Sequence, residues 1–305
     1  MAKARPALLG TSLLLLSCFG TTGAPPPAHT FPVRTYTLAS GLRIVVEQDD
    51  TSRLVGIAWV VGVGHEDDPP PHPGLAHLVE HLLYTAPDAT GVSTWRRLID
   101  LGASENAQTD LDLTTAFAFA PRAALDELVE VFLDRVEEPG VGIDEALIAK
   151  ERHVIDQEVT LRESQGRAGL RLAVDALAGR PLIHDPADVR AALGAITLDD
   201  VRGFLATHYR PERMTLILSG PLGDEWDQRF LAMLPPALAG TAAQRRPPVR
   251  RPLAAAGRVG RRPEITTALA DVRERELWLA WPVAPARGKD VVPMQMLAAL
   301  ADGVL

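Results

Sequence analysis

The sequence contains a single cysteine, Cys18, among 305 residues. The folded protein therefore cannot rely on an internal disulfide. The apolar stretch Leu8–Leu16 is too short to span a bilayer, since a membrane helix needs roughly 20 such residues. Basic residues are fewer than acidic ones, 31 against 39, which gives a net charge of −8. Neutralising phosphates requires a basic face, so this balance argues against a nucleic-acid partner.

Residues 1–24 have the features of a signal peptide, because Lys3 and Arg5 precede the short apolar stretch. Two routes of processing stay open. Cleavage after Ala24 would release the mature chain. Alternatively, the Leu-Leu-Ser-Cys that ends at Cys18 resembles a bacterial lipoprotein box, and Cys18 would become the lipidated first residue. The position of the single cysteine favours lipidation. Both routes predict export, either to the bacterial periplasm or to the membrane as an anchored lipoprotein.

The full sequence has the composition of a globular protein, with 47% hydrophobic and 23% charged residues. Its length allows two domains. The nearly unbroken apolar run Val55–Val63 predicts a strand buried on both faces. The other apolar patterns predict strands within 34–47, around a turn at 39–42, and at 113–120, and helices at 93–101, 125–136 and, opening at Asp144, 144–163.

Residues 72–84 read HPGLAHLVEHLLY, which suits a helix that begins at Pro73 and Gly74. His77 and His81 are four residues apart, so both imidazoles lie on one helix face, with Glu80 close to the same site. This order is the inverted zincin motif, in which two imidazoles hold zinc beside a carboxylate. A chance pattern on a solvated helix face is the alternative. A third ligand would favour the metal hypothesis.

Two further groups of residues bear on that ligand. His65 and His72 lie in the loop before the helix, and we expect them to be solvated because they lack helical spacing. The helix at 144–163 carries Glu151 and Glu158 on one face, with the apolar Ile155 between them. A fully solvated face would not usually carry an apolar residue there. Spacing alone does not identify either glutamate as a ligand.

Residues 34–222 resemble the insulinase/pitrilysin family of zinc metallopeptidases. His77, Glu80, His81 and Glu158 are similar to the family's His-x-x-Glu-His and the glutamate that follows it on a second helix. Other stretches resemble the family in the same order: Thr37–Arg43, Gly102 with Asn106–Thr109, Glu151–Ile155, and Tyr209–Pro211 with Leu216–Gly220. The resemblance implies an α+β fold in which a mixed, mostly antiparallel sheet packs with helices.

The resemblance also implies a role for each site residue. His77, His81 and Glu158 would bind Zn²⁺ and leave a fourth position to water. Glu80 would act as general base on the zinc-bound water. Glu151 would support catalysis, with a helix-surface carboxylate as the alternative. Asn106 and Ala107, in an exposed edge strand at residues 104–109, would bind an extended peptide through the main chain, with an ordinary loop as the alternative.

The sequence departs from the family pattern in two places. After His81 the family continues with an aromatic residue and Gly-Thr, whereas here Tyr84 is followed by Thr85–Asp88. The second departure is length. We predict a catalytic domain at residues 30–238, a linker at 239–263 that has no acidic residue, and at 264–305 the truncated start of a second, similar domain. The chain is accordingly expected to be a fragment of a longer protein.

Together these observations predict a zinc metalloendopeptidase that hydrolyses extended peptides or small proteins. The alternative is a non-cleaving, zinc-binding partner subunit of a two-chain peptidase complex. Both a homodimer and a heterodimer are compatible with the sequence.

Overall fold

The computed structural model describes residues 31–164, 175, 184–223 and 225–240. The predicted signal peptide with Cys18, and the predicted linker and second domain from residue 241 onward, lie outside these residues. The strands are β1 Val33–Thr37, β2 Arg43–Gln48, β3 Leu54–Val61, β4 Ser104–Thr109, β5 Thr114–Pro121 and β6 Met214–Gly220. The helices are α1 Leu75–Thr85, α2 Thr94–Asp100, α3 Leu125–Glu137, α4 Glu145–Ser164, α5 Pro186–Leu193, α6 Leu198–His208, α7 Trp226–Met233 and α8 Pro236–Ala239.

The six strands form one mixed sheet in the order β1-β2-β6-β3-β5-β4. The β2–β6 pair is parallel, and the other four pairs are antiparallel. The predicted α+β class with a mostly antiparallel sheet is therefore confirmed. The strand β6 is far in sequence from the other five strands, yet it lies inside the sheet. There Leu216 pairs with Trp59 of β3 and with Ile44 of β2.

The prediction that Val55–Val63 is buried on both faces is wrong in part. From Ile57 onward β3 alternates, and Ala58 and Val60 are only half-buried while Trp59 and Val61 are buried. Helix α3 packs against β3 and β5 and covers the buried face. The apolar run reflects β-branched residues that suit a central strand rather than full coverage of both faces.

The four predicted helices, α1 to α4, begin within two residues of the predicted positions. Ser93 caps α2 by accepting a hydrogen bond from the Arg96 amide, and Asp144 accepts one from Leu147 at the start of α4. Gly74 precedes α1 in a left-handed conformation with φ of 92°, and a Cβ there would lie 2.9 Å from a methyl carbon of Val189. Within the described part of the chain, no helix is both long and apolar enough to cross a membrane.

Helix α1 is buried over most of its surface, because it packs against α2, α4 and the edge strand β4. Its N-terminus is held by Asp68, whose carboxylate accepts the amide protons of Gly74 and Ala76, both at 2.7 Å. The sequence thus places the His-x-x-Glu-His motif on a rigid helix between a second helix and an edge of the sheet.

Candidate metal centre and the adjoining strand

Helix α1 brings His77, Glu80 and His81 together, as the spacing predicts. His77 and Glu80 are 8% and 9% exposed. The imidazole rings of His77 and His81 meet edge to face with their centroids 4.8 Å apart. One ligand atom from each of the three residues lies within 4.8 Å of the others. These donors therefore share one site.

Glu158 of α4 faces both imidazoles. Its Oε2 lies 3.6 Å from His77 Nε2, and its Oε1 lies 3.5 Å from His81 Nε2. Two ligands of a tetrahedral zinc, each at its usual bond length, lie about 3.4 Å apart. Two imidazole nitrogens, each at such a separation from one of the two carboxylate oxygens, fit a zinc ion. Glu80 lies in the same cluster, and its carboxylate accepts a hydrogen bond from the Thr109 hydroxyl.

Glu151 lies about two helical turns before Glu158 on α4, and it is not a surface carboxylate. The residue is 2% exposed, and its Oε2 lies 3.2 Å from Nδ1 of His81. A carboxylate at Nδ1 holds the proton on that nitrogen and leaves Nε2 with a free lone pair. This is the nitrogen of His81 that faces Glu158.

Two contacts that the sequence analysis missed join α1 to β4. Thr109, the last residue of β4, donates its hydroxyl proton to Glu80 Oε2. The Tyr84 hydroxyl donates to the carbonyl of Asn106 at 2.9 Å. Burial raises the pKa of Tyr84 well above its usual value, and the charges of Glu105 and Glu80 add to this, so the hydroxyl stays protonated. The alternation of side chains along a strand could have indicated that Thr109 points to the same face of β4 as Ala107.

The strand β4 lies at the edge of the sheet, as predicted for residues 104–109. It pairs on one side with β5, where Asn106 opposes Phe117 and Ala107 opposes Ala116. Asn106 is exposed, and its side-chain oxygen accepts the amide proton of Ala107 at 2.9 Å. The loop alternative for these residues is therefore wrong. One main-chain donor of this strand, the Ala107 amide, is thus already hydrogen-bonded to the Asn106 side chain.

The loop after α1, which departs from the family pattern, ties three helices together. Asp88 accepts hydrogen bonds from Thr90 and forms an ion pair with Arg97 of α2, which also contacts Asp134 of α3. The buried Arg135 of α3 donates to the carbonyl of Ala86 at 2.6 Å. Polar contacts thus fix this loop beside the site.

The loop histidines are not solvated, so that expectation is wrong. His65 is half-buried and meets the His77 ring edge to face, with the centroids 6.4 Å apart. His72 is half-buried and lies 3.6 Å from the carboxylate of Asp200. The loop that carries His65 and His72 packs against the helices. Contacts of this kind, such as that of His72 with Asp200, cannot be predicted from local residue spacing.

Two family models match the sequence. The model described as insulinase (peptidase family M16) matches residues 43–180, and the one described as peptidase M16 inactive domain matches residues 195–303. An uncharacterized zinc protease of Mycobacterium tuberculosis is 27% identical over 272 residues, which are 87% of this chain and 59% of that protein. The mitochondrial-processing peptidase subunit beta of Caenorhabditis elegans is 27% identical over 188 residues, which are 60% of this chain and 40% of that protein.

Solved structures share the fold. Pitrilysin aligns with a TM-score of 0.59 at 20% identity, over 68% of this chain and 23% of that one. The first half of the periplasmic protease PqqL from Escherichia coli aligns with a TM-score of 0.58 at 22% identity, over 70% of this chain and 48% of that one. The chain spans about half the length of the curated relatives it matches, from 42% to 59% for the first four.

Proposed function

This chain belongs to the insulinase (peptidase M16) family, whose two models match residues 43–180 and 195–303, and from this we propose that it is a zinc metallopeptidase. His77, His81 and Glu158 would hold the metal. The observation that carries the proposal is the convergence of both Nε2 atoms on the two oxygens of one glutamate, at 3.6 and 3.5 Å. Relatives that bear the name zinc protease support the same conclusion.

When bound, zinc would supply a Lewis acid that lowers the pKa of a coordinated water and polarises a peptide carbonyl. Glu80 would accept the proton of the attacking water and deliver it to the leaving amine. Its position supports this role, since it is one residue before His81 and nearly buried. Thr109 would hold the carboxylate in one orientation by donating to Oε2. Glu151 would orient His81 through Nδ1, which is a positioning role rather than a direct part in bond cleavage.

The proposed substrate is an extended peptide or a small unfolded protein, added as a further strand to the edge of β4. An exposed strand edge binds extended chains through main-chain hydrogen bonds, which makes recognition tolerant of sequence. Asn106 and Ala107 would contact the peptide, after the Asn106 side chain releases the Ala107 amide. Because Thr109 touches Glu80 from the end of the same strand, a peptide on β4 would run towards the general base.

We also propose that the protein is exported and that a second domain or subunit completes the cleft. A periplasmic protease is among the structures of similar fold, and the match covers only 59% of the length of a zinc-protease relative. Processing after Ala24 and lipidation of Cys18 stay alternatives. Detergent partitioning of wild type and Cys18→Ser would separate them, since only a lipidated chain should enter the detergent phase in a Cys18-dependent way.

The test of the peptidase proposal separates zinc binding from hydrolysis. Glu80→Gln keeps the side-chain shape and removes the base, so it should retain zinc and lose peptide hydrolysis by at least about a hundredfold. His77→Ala should lose the zinc of this centre as well as activity. The measurements are metal content and cleavage of an unstructured peptide, with the partner domain present. Equal rates for wild type and Glu80→Gln would contradict the mechanism. A wild type that holds zinc without cleaving would replace it with the non-cleaving partner-subunit function.

A further inference from the structure

A second cluster of metal-binding side chains lies beside the centre described above. It consists of His65, in the short 3₁₀ turn before α1, of Asp68, one residue beyond that turn, and of His184, just before α5. Their ligand atoms lie within 4.8 Å of one another. None of the three belongs to the proposed zinc peptidase site.

The distances in this cluster match a shared ion. His184 Nε2 is 2.9 Å from Asp68 Oδ2, and His65 Nδ1 is 3.8 Å from the same oxygen. Ligand atoms on a tetrahedral zinc lie about 3.4 Å apart, and the two observed separations fall on either side of that value. One ligand atom from each of the three residues lies within 4.8 Å of the other two, so the three donors are grouped closely enough to share one ion after side-chain adjustment. Two imidazoles and one carboxylate are a donor set that favours zinc and similar transition metals.

The burial of these atoms gives an independent argument. Nδ1 of His65 is buried and has no hydrogen-bond partner of normal length among the residues that the structure describes. A buried nitrogen without a partner costs free energy, unless something outside the protein chain satisfies it. The Asp68 side chain is 0% exposed. A metal ion would satisfy Nδ1 of His65 and compensate the buried carboxylate at once.

The carboxylate is also held in place, beside an open cleft. Its Oδ1 accepts the amide proton of Ala76 and its Oδ2 that of Gly74, each at 2.7 Å, so its orientation is fixed before any ion arrives. Asp68 and His184 line an open cleft whose other walls include Pro69, Pro73 and Asp188. The acidic Asp188 at this opening would favour the entry of a cation.

We propose that His65 Nδ1, Asp68 Oδ2 and His184 Nε2 form a second site for a divalent transition metal of the zinc class. It would join the residues that lead into α5 to the loop that holds the N-terminus of α1. Bound metal would therefore stabilise the helix that carries the catalytic motif, without taking part in the chemistry. The competing explanation is a metal-free hydrogen bond between His184 and Asp68, which the same 2.9 Å distance allows.

The test uses the full chain with the first centre removed. In the double variant His77→Ala, His81→Ala, titration calorimetry with Zn²⁺ should still find about one bound zinc per chain. Adding His65→Ala and His184→Ala should abolish it. His72→Ala is the matched control, because it removes a histidine of the same loop that contacts Asp200 instead, and the one zinc should remain.

Two further measurements make the result decisive. Cobalt substituted into the His77→Ala, His81→Ala variant should give the visible absorption of a tetrahedral site, and His65→Ala alone should remove that absorption. Circular dichroism of each variant confirms that it is folded, and Asp68 is left unchanged because it holds α1. If the folded double variant binds no zinc, or if its zinc survives both His65→Ala and His184→Ala, the proposal is wrong and the His184–Asp68 hydrogen bond is purely structural.

Discussion

Individual residues around the proposed metal centre would differ in how directly they act, and Glu151 shows the difference. Its carboxylate is 2% exposed and meets His81 at the ring nitrogen opposite Glu158. Burying a carboxylate costs free energy unless it is paired, so a buried glutamate at this position indicates a functional role. Fixing the tautomer and the ring orientation of His81, a proposed metal ligand, is such a role.

Replacing Glu151 should therefore weaken metal binding. We expect Glu151→Ala to lower zinc affinity by about 10–100-fold, the usual effect of losing a group that orients a ligating histidine. Glu151→Gln keeps an acceptor for Nδ1–H and should lose less. Competition with a chelator measures the dissociation constant. Glu130→Ala, an exposed glutamate on α3, is the control and should bind zinc like wild type. Unchanged affinity in Glu151→Ala would show that the contact is incidental.

Thr109 contacts Glu80, and we expect it to act on this residue rather than on the proposed metal. Because a hydrogen bond to a charged group is worth about 1.5–3 kcal/mol, Thr109→Val should reduce kcat by at least about tenfold while zinc content stays constant. Thr109→Ser retains the hydroxyl and should keep most of the rate. Steady-state peptide hydrolysis and metal analysis give both readouts. A Thr109→Val enzyme as fast as wild type, or one that loses zinc, would refute the positioning role.

Whole helices and strands were predicted with unequal success, for physical reasons. Helices α1 and α4 follow from local signals, namely the four-residue spacing of His77 and His81 and the cap at Asp144. The inner position of β6 does not, because its parallel pairing with β2 joins Arg43 to Thr215, far apart in sequence. The contact of Thr109 with Glu80 likewise depends on where β4 lies against α1. Such long-range placement leaves no mark in local periodicity.

The loop between α1 and α2 depends on pH through Asp88. Burial works to raise the pKa of Asp88, but hydrogen bonds from Thr90 and the ion pair with Arg97 outweigh it, and the pKa is lowered overall. The ionised form is thus favoured in the folded state. Its contribution to stability is present above the unfolded pKa of about 4 and is lost as the pH falls through the lower folded value.

Asp88→Asn should consequently lower the free energy of unfolding by about 1–2 kcal/mol at pH 7. The difference from wild type should shrink as the pH falls below about 4, where Asp88 of wild type also becomes neutral. Urea unfolding of metal-free protein at several pH values measures it. Asp112→Asn, at an exposed loop position, should match wild type throughout. A constant difference across this pH range would show that the charge of Asp88 is not responsible.

At the scale of the whole molecule, the last described residues, near residue 240, contact the turn between the first two strands of the sheet. The hydroxyl of Ser40, in the turn between β1 and β2, donates to the carbonyl of Leu238, and the Ser40 amide donates to that of Ala239. Phe230, Leu234 and Leu238 of the last helical segment are buried in the core of the sheet. The domain boundary at residue 238 stays a prediction, and these contacts suggest how to test it.

A fragment of residues 30–240 should therefore fold by itself. We expect one cooperative unfolding transition and a zinc content that His77→Ala reduces, because all proposed ligands and all six described strands lie within it. A shorter fragment that ends at residue 223 lacks α7 and α8. It should lose about 5 kcal/mol, since each buried apolar side chain contributes about 1.5–3 kcal/mol, and such a loss is enough to unfold a marginally stable domain. Chemical denaturation and metal analysis of both fragments and the full chain decide the matter. If only the full chain folds, the domain extends beyond residue 240 and the proposed boundary is wrong.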